Sequence, residues 1–118
     1  EENIEIIHVP GSFELPWGAR FLLASEKKNA ILCLGCIIKG ETKHDDYIAN
    51  AVASGIMQLG LTSGVPVIFG VVTTNTAEQA IERAGGKHGN KGAEAAATGL
   101  QLARIQQDGI SNKKTIGY

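Results

Sequence analysis

Two long apolar runs in the middle of the chain predict buried β-strands. They are AILCLGCII at residues 30–38 and VPVIFGVVTT at residues 65–74. Strands covered on both faces have such continuous apolar sequences, whereas half-exposed strands alternate apolar and polar residues. A third segment, NIEIIHVP at residues 3–10, alternates weakly and runs into a Pro-Gly pair, which also predicts a strand.

Apolar residues at helical spacing follow the predicted strands at residues 3–10 and 30–38. ELPWGARFLLASEK, at residues 14–27, predicts a helix that tolerates Pro16 because this residue falls in the first turn. Residues 42–61 predict a second helix, whose apolar residues share one face: Ile48, Val52, Ile56 and Leu59.

Two more helices are predicted after the strand at residues 65–74. Thr76 and Gln79 have the spacing of a capping box, and a helical face follows at Ala77, Ala80, Ile81 and Ala84. The glycine-rich AGGKHGNKG ends this helix. An alanine-rich helix comes next, and we expect it to pack closely through Ala93, Ala96, Ala97, Leu100 and Ala103. Residues 108–118 are predicted to form a mobile tail.

Strands that alternate with helices and have no polar face predict a three-layer αβα sandwich around a parallel sheet. All 118 residues fit a single α/β domain. Three strands are few for such a sheet, and the sequence begins with Glu1 rather than methionine. We therefore expect at least one strand upstream of Glu1, so that the domain is truncated at its N-terminus.

Charge and hydropathy argue against several classes of partner. The formal net charge is -1, which favours neither nucleic acid nor an anionic membrane surface. No apolar run approaches the roughly 20 residues of a membrane-spanning helix. Cys33 and Cys36 form a C-x-x-C, but residues three apart on a strand face opposite ways. They are therefore interpreted as two inert core thiols rather than as a metal or redox pair.

Polar side chains cluster directly after the predicted strand at residues 30–38. In parallel α/β sheets, ligands bind beyond the carboxyl ends of the strands, at helix N-termini. Gly40 permits close backbone approach, Thr42 is a candidate N-cap, and Asp45 and Asp46 suit the positive end of the helix dipole. Histidine is a common proton carrier in enzymes, so His44 is a candidate for proton transfer. The alternative is that Thr42 only caps the helix and His44 is a surface residue.

Two further segments contain candidate binding residues. Arg83 could donate two hydrogen bonds to a phosphate or carboxylate, and Lys87 and Lys91 add positive charge. This cluster does not match a phosphate-binding P-loop, and a solvated helix end is the alternative. PGSFE offers Ser12 and Glu14 for a polar ring or a polyol, although Glu14 also suits a first helical turn. His8 and His88 lack partners at ligand spacing, so we predict no metal site.

Taken together, PGSFELP, CIIKGETKHDDYI and VPVIFGVVTTNTAEQAIERAGGKHGNKGAEAA resemble lumazine synthases, the family of the penultimate step in riboflavin biosynthesis. The likeness extends from about Val9 to Arg104. It implies a flavodoxin-like fold and a cytoplasmic transferase without a cofactor. The implied reaction condenses 5-amino-6-(ribitylamino)uracil with 3,4-dihydroxy-2-butanone 4-phosphate to give 6,7-dimethyl-8-ribityllumazine, phosphate and water. The implied assembly is a homopentamer or a larger icosahedral shell.

The resemblance also implies roles for particular residues. His44 matches the proton-transfer histidine and Arg83 the phosphate-binding arginine. Phe69 matches an aromatic residue contributed across a subunit interface, and Lys91 a lysine of the site. The phosphate cradle corresponds to Glu41 and Thr42, the ribityl and pyrimidine segment to Ser12, Phe13 and Glu14, and the strand end that binds the pyrimidine to Cys36, Ile37 and Ile38.

Some positions depart from the family pattern. Members often have arginine where this chain has Lys39, and an aromatic residue where it has Asp45. Lysine keeps the charge of arginine but loses its forked geometry. The family also has an upstream strand whose aromatic residue stacks on the pyrimidine, and the resemblance implies that this strand would lie upstream of Glu1. Two alternatives remain open: a non-catalytic flavin- or pterin-binding module, and a shell-forming protein whose alanine-rich helices serve assembly only.

Overall fold

The computed structural model describes residues 3–115, and the side chains of residues 3–109. A short 3-10 helix, Ser12–Glu14, opens directly into the first α-helix. The elements that follow in chain order are α1 (Leu15–Ser25), β1 (Ile31–Ile38), α2 (His44–Ser63), β2 (Val67–Thr74), α3 (Ala77–Arg83), β3 (Ala84–Gly86), β4 (Gly89–Asn90) and α4 (Lys91–Thr115).

The two apolar strands pair in parallel, as predicted. The register pairs Ile31 with Val67 at one end and Ile38 with Thr74 at the other. The N–H of Lys39 donates to the carbonyl of Thr74 at 2.7 Å, which extends the pairing one residue beyond β1. Helices α1 and α2 pack on one face of this sheet and α4 on the opposite face. The fold is therefore the expected three-layer α/β sandwich.

The main core lies between the sheet and the α1–α2 layer. Its buried residues come from every element of that layer and from one face of both strands: Ala19, Ile31, Cys33, Ile37, Val52, Ile56 and Val71. Val52 and Ile56 lie one turn apart on α2 and are almost fully buried, which confirms the predicted helical face. Burial of such side chains contributes about 1.5–3 kcal/mol each relative to leaving them exposed.

The second core layer depends on small residues. A Cβ atom on Gly70 of β2 would lie 3.0 Å from the Cβ of Ala95, and one on Gly99 would lie 2.9 Å from Leu32 Cδ2. Ala95 and Gly99 are therefore the residues that bring α4 against the sheet. The predicted face was wrong, since Ala93, Ala97 and Leu100 are exposed and Ala96 and Ala103 are half-buried. In an alanine-rich helix, small apolar residues occur on several faces, so their spacing does not show which face is buried.

The predicted strand at residues 3–10 does not form. Residues 4–9 have no regular secondary structure, and the described residues provide them with no strand partner. An alternating sequence becomes a strand only when a neighbouring backbone completes its hydrogen bonds. An ion pair between Lys28 Nζ and Glu5 Oε1, 3.2 Å apart, instead ties this segment to the loop before β1.

The third helix begins as predicted. The fourth begins at Lys91, two residues inside the glycine-rich segment that was expected to precede it, and it extends further at its other end. Thr76 and Gln79 form the capping box, with Gln79 N donating to Thr76 Oγ1 at 3.2 Å. The glycine-rich segment after α3 forms the antiparallel β3–β4 hairpin. Helix α4 continues through residues 108–115, where a tail was predicted. Residues 116–118 of that predicted tail lie outside the described residues.

Candidate functional site

The carboxyl end of β1 lies against the 3-10 helix and forms the first part of the site. The hydroxyl of Ser12 donates to the carbonyl of Cys36 at 3.3 Å. A Cβ on Gly35 would lie 2.7 Å from Ser12 Oγ, so glycine at this position permits the contact. A cavity of about 290 Å³ lies here, between the N-terminal segment, the helix start and the strand. Its lining residues include Ile7, His8, Val9, Ser12, Leu34 and Cys36.

The other two residues of the PGSFE segment differ in exposure. The ring of Phe13 is 58% exposed, whereas Glu14 is half-buried. Glu14 turns back toward the preceding loop: its N–H donates to the carbonyl of Gly11 at 3.1 Å, and a Cβ on Gly11 would lie 3.3 Å from Glu14 Oε1. This segment thus presents an aromatic ring and a carboxylate beside the end of β1.

Helix α2 begins at His44, one residue later than a Thr42 N-cap requires. Thr42 Oγ1 accepts a hydrogen bond from the N–H of His44 at 3.3 Å, and Lys43 occupies the cap position without a side-chain hydrogen bond. The prediction of Thr42 as N-cap was therefore wrong by one position, because Lys43 adds a residue to the turn. Glu41, Thr42 and His44 are exposed beside the positive end of the α2 helix dipole. Such a helix start attracts anions.

Asp45 is a buried carboxylate in the first turn of α2. It is 7% exposed, and neither carboxylate oxygen has a hydrogen-bond partner within the described residues. The neighbouring Asp46 is exposed in the same helical turn. The helix dipole accounts for an exposed first-turn acid such as Asp46, but it does not require burial of Asp45. The resemblance places an aromatic residue here, so an apolar position is occupied by a carboxylate.

The two cysteines face opposite sides of β1, as their spacing predicted. Cys33 lies in the main core, and burial raises the pKa of its thiol to about 11. Cys36 is exposed and lines the cavity beside Ser12, so its interpretation as a core thiol was wrong. Ile37 is buried beneath α1 and α2, whereas Ile38 is 47% exposed at the strand end.

A second group of candidate residues lies on the far side of β2. Phe69 and Lys91 both line an open groove of about 820 Å³ between α2, β2 and α4. Arg83 is the last residue of α3 and is exposed. Sequence reasoning missed Glu94, which also lines the groove. Its signal was present, because Glu94 lies three residues after Lys91 and so on the same face of a helix.

The structure thus separates the candidate residues into two clusters. The first contains Ser12, Cys36 and the start of α2, and the second contains Phe69 and Lys91. The groove and the cavity share no lining residue. Phe69 pairs with Cys33, three residues before Cys36, so it lies about 10 Å back along the sheet from Cys36.

The described residues contain no group of three or more side chains that could hold a metal ion. Within residues 3–115, no helix is long and apolar enough to cross a membrane. The chemistry available at the site is therefore that of a helix start, exposed basic residues, a histidine, a carboxylate and backbone groups at a strand end.

Comparison with known proteins decides between the families that such a site fits. The family model described as 6,7-dimethyl-8-ribityllumazine synthase matches residues 1–107. The chain belongs to this family. A relative named 6,7-dimethyl-8-ribityllumazine synthase, from Porphyromonas gingivalis, is 50% identical over 106 residues, which is 90% of this chain. The chain spans 66% of the length of that lumazine synthase. The matched region contains every candidate residue of both clusters.

Proposed function

We propose that this chain forms 6,7-dimethyl-8-ribityllumazine from 5-amino-6-(ribitylamino)uracil and 3,4-dihydroxy-2-butanone 4-phosphate, with release of phosphate and water. Membership of the lumazine synthase family supports this reaction. The observation that carries the proposal is the position of His44, the first residue of a helix that starts beside the polar end of β1. That arrangement combines an anion site with a group that can move protons.

The pyrimidine substrate binds in the first cluster. Ser12, Phe13 and Glu14 provide a hydroxyl, an aromatic ring and a carboxylate for the ribityl chain and the pyrimidine. Backbone groups from Cys36 to Ile38 hydrogen-bond the ring edge. The contact between Ser12 and the Cys36 carbonyl supports this assignment, because it fixes the 3-10 helix against the strand end.

The phosphate group binds between the start of α2 and a basic side chain. Glu41 and Thr42 contribute the backbone and hydroxyl of the cradle, and Arg83 forms two charge-assisted hydrogen bonds with the phosphate oxygens. The amine of the pyrimidine attacks the ketone, and loss of water gives an imine. His44 removes a proton and phosphate leaves, which gives an enol that tautomerises to a ketone. The ribitylamino nitrogen attacks this ketone, and loss of a second water closes the lumazine ring. Alignment of the two flexible substrates supplies much of the rate.

Each complete site lies between two subunits of a ring of five. Phe69, Arg83 and Lys91 come from one subunit, and the first cluster comes from its neighbour. The separation of the clusters within one chain supports this arrangement, since the groove and the cavity have no residue in common. Exposed apolar side chains support assembly as well, including the stacked pair Trp17 and Phe21, whose centroids are 5.6 Å apart. Such rings could also build a larger closed shell.

A direct test mixes the purified chain with both substrates and follows the lumazine chromophore together with free phosphate. The expected result is equimolar formation of the two products at a rate well above that of the substrates alone. Binding of the pyrimidine without any turnover would overturn the proposal in favour of a flavin- or pterin-type binding module. Failure to bind either substrate would favour a purely structural shell protein.

A further inference from the structure

The hairpin after α3 is held against the last turn of that helix by one residue, Glu82. The N–H of His88 donates to the carbonyl of Glu82 at 3.0 Å. The imidazole Nε2 of His88 also lies 3.2 Å from Glu82 Oε2. Gly86 permits this tight return, because a Cβ there would lie 2.7 Å from the Cα of Glu82. Backbone and side chain of His88 therefore hold the same residue.

This contact adjoins Arg83 and Lys91, the two basic residues of the proposed site. Arg83 follows Glu82 directly, and Lys91 follows Asn90 at the end of the hairpin. Asn90 Oδ1 accepts a hydrogen bond from the N–H of Ala93 at 3.0 Å, which fixes the start of α4. The hairpin that His88 fastens is thus the connection that sets the distance between Arg83 and Lys91.

The contact between His88 and Glu82 also affects how the charged residues around the hairpin can pair. Lys87 and Lys91 lie on either side of His88 in sequence, and the other acid near the hairpin is Glu94, whose Oε2 would lie 3.3 Å from a Cβ on Gly89. Among the described residues, neither Arg83 nor Lys91 forms an ion pair. The imidazole of His88 pairs with the Glu82 carboxylate. Without His88, that carboxylate would be free to pair with Arg83 or Lys91.

We propose that His88 is a positioning residue for phosphate binding: by holding Glu82, it fixes the hairpin and leaves Arg83 and Lys91 available to the phosphate monoester. This inference rests on the proposed function for the identity of the anion. The contact is exposed, with 69% of the His88 side chain and 40% of the Glu82 side chain accessible. Exposed pairs contribute little energy, so the expected effect is about three- to fivefold rather than orders of magnitude.

The test compares His88→Ala, His88→Gln and Glu82→Gln in the full chain. His88→Ala should raise the KM for the phosphorylated substrate and the Kd for inorganic phosphate about three- to fivefold. The kcat and the KM for the pyrimidine should stay unchanged. His88→Gln, which can still donate to Glu82, should restore most of the affinity. Unchanged phosphate affinity in His88→Ala, or equal rises in both KM values, would overturn the proposal.

A double-mutant cycle shows whether the effect passes through Glu82. In the Glu82→Gln background, His88→Ala should have no further effect, because no carboxylate is left to compete for the basic residues. Additive effects would contradict the mechanism. The Kd for inorganic phosphate is measured by calorimetry and needs no turnover. A wild-type chain that makes no lumazine would therefore refute the proposed function, while the phosphate affinities of the variants would still decide the role of His88.

Discussion

His44 is the first residue of α2, and its side chain is exposed where the proposed mechanism places a proton carrier. Replacing it with alanine should lower kcat by about 10²–10⁴-fold, the usual effect of losing one acid–base group. Phosphate affinity should be retained, because the helix start and Arg83 remain. Steady-state kinetics and phosphate binding measure the two effects separately.

A second substitution at this position separates proton transfer from hydrogen bonding. Glutamine can donate and accept hydrogen bonds but does not exchange protons near neutral pH. His44→Gln should therefore be as slow as His44→Ala. A His44→Gln variant with near-wild-type turnover would show that His44 only orients a substrate.

The buried carboxylate of Asp45 should destabilise the fold. An unsatisfied buried polar group costs about 1–3 kcal/mol, and an unpaired charge costs more. Asp45→Leu should therefore raise the free energy of unfolding by about 1–2 kcal/mol, measured from the denaturation midpoint at constant slope. The aromatic residue that the family often has at this position indicates that an apolar side chain fits.

Asp46 provides a matched control in the same turn. It is exposed at the positive end of the helix dipole, so Asp46→Leu should lower stability by about 0.3–1 kcal/mol. The two neighbouring aspartates should thus respond with opposite signs. If Asp45→Leu also destabilised the protein, the carboxylate would have to gain a partner in the assembled protein.

The two thiols should react very differently. Burial raises the pKa of Cys33 to about 11, so its thiol stays protonated at pH 8 and is shielded from reagent. A chromogenic disulfide reagent should therefore titrate one thiol quickly, and Cys36→Ser should abolish this fast phase. Bound lumazine should slow the reaction by covering the cavity that Cys36 lines. Equal reactivity of both thiols would contradict the burial of Cys33.

The raised pKa of Cys33 also links stability to pH. The neutral thiol is the form that the core accepts, and the unfolded chain loses its proton at the ordinary value of 9.0. This contribution to stability is therefore complete below pH 9 and is lost as the pH rises from 9 toward 11. Cys33→Ala should remove that part of the pH dependence while leaving the response below pH 9 unchanged.

At the scale of elements, the packing of α4 on β2 depends on a glycine. A Cβ on Gly70 would meet the Cβ of Ala95 at 3.0 Å and the backbone oxygen of Cys33 at 3.2 Å. Neither atom can turn away as the tip of a long side chain can, so Gly70→Ala should lower stability by about 1–3 kcal/mol. Thermal or chemical unfolding measures this loss.

The control for this prediction is Gly109 of α4, where a Cβ would meet nothing within 4 Å. Gly109→Ala should leave stability unchanged or raise it by up to about 1 kcal/mol, because alanine is the better helix former. Equal stability of the two variants would mean that α4 shifts freely over β2, which the close contact with Ala95 argues against.

Elements were predicted best where their signals are local. The Thr76–Gln79 capping box and the face formed by Val52 and Ile56 depend on residues three or four positions apart, and both were found as expected. The start of α2 was misplaced because Thr42 and Lys43 are both compatible with a helix start. The sequence contains nothing that distinguishes the two without the path of the preceding turn.

At the scale of the whole molecule, the separation of the two clusters predicts shared sites. His44→Ala and Arg83→Ala should each turn over far more slowly than the wild-type chain. A mixture of equal amounts, after subunit exchange, should recover activity, because some interfaces then combine an intact His44 with an intact Arg83. Random mixing in a ring makes about a quarter of the interfaces complete.

Turnover of the mixture, compared with that of each variant alone, measures this recovery. Mass spectrometry of isotopically labelled subunits provides the control for exchange. Exchange without any recovered turnover would mean that each site belongs to one chain. A mixture of wild-type subunits with subunits that have both His44→Ala and Arg83→Ala provides the reference turnover, because its complete interfaces form between wild-type subunits without complementation.

The sequence by itself determined the parallel α/β plan, the two apolar strands, the start of α3 and the residue types at the strand ends. These follow from apolar spacing, capping and turn residues, which act over a few positions along the chain. Only the tertiary structure decided that residues 4–9 stay unpaired, that Asp45 is buried while Cys36 is exposed, and that Phe69 and Lys91 share a groove apart from Ser12. Those outcomes depend on contacts between residues far apart in sequence, and a local sequence pattern does not specify which distant residues will pack against it.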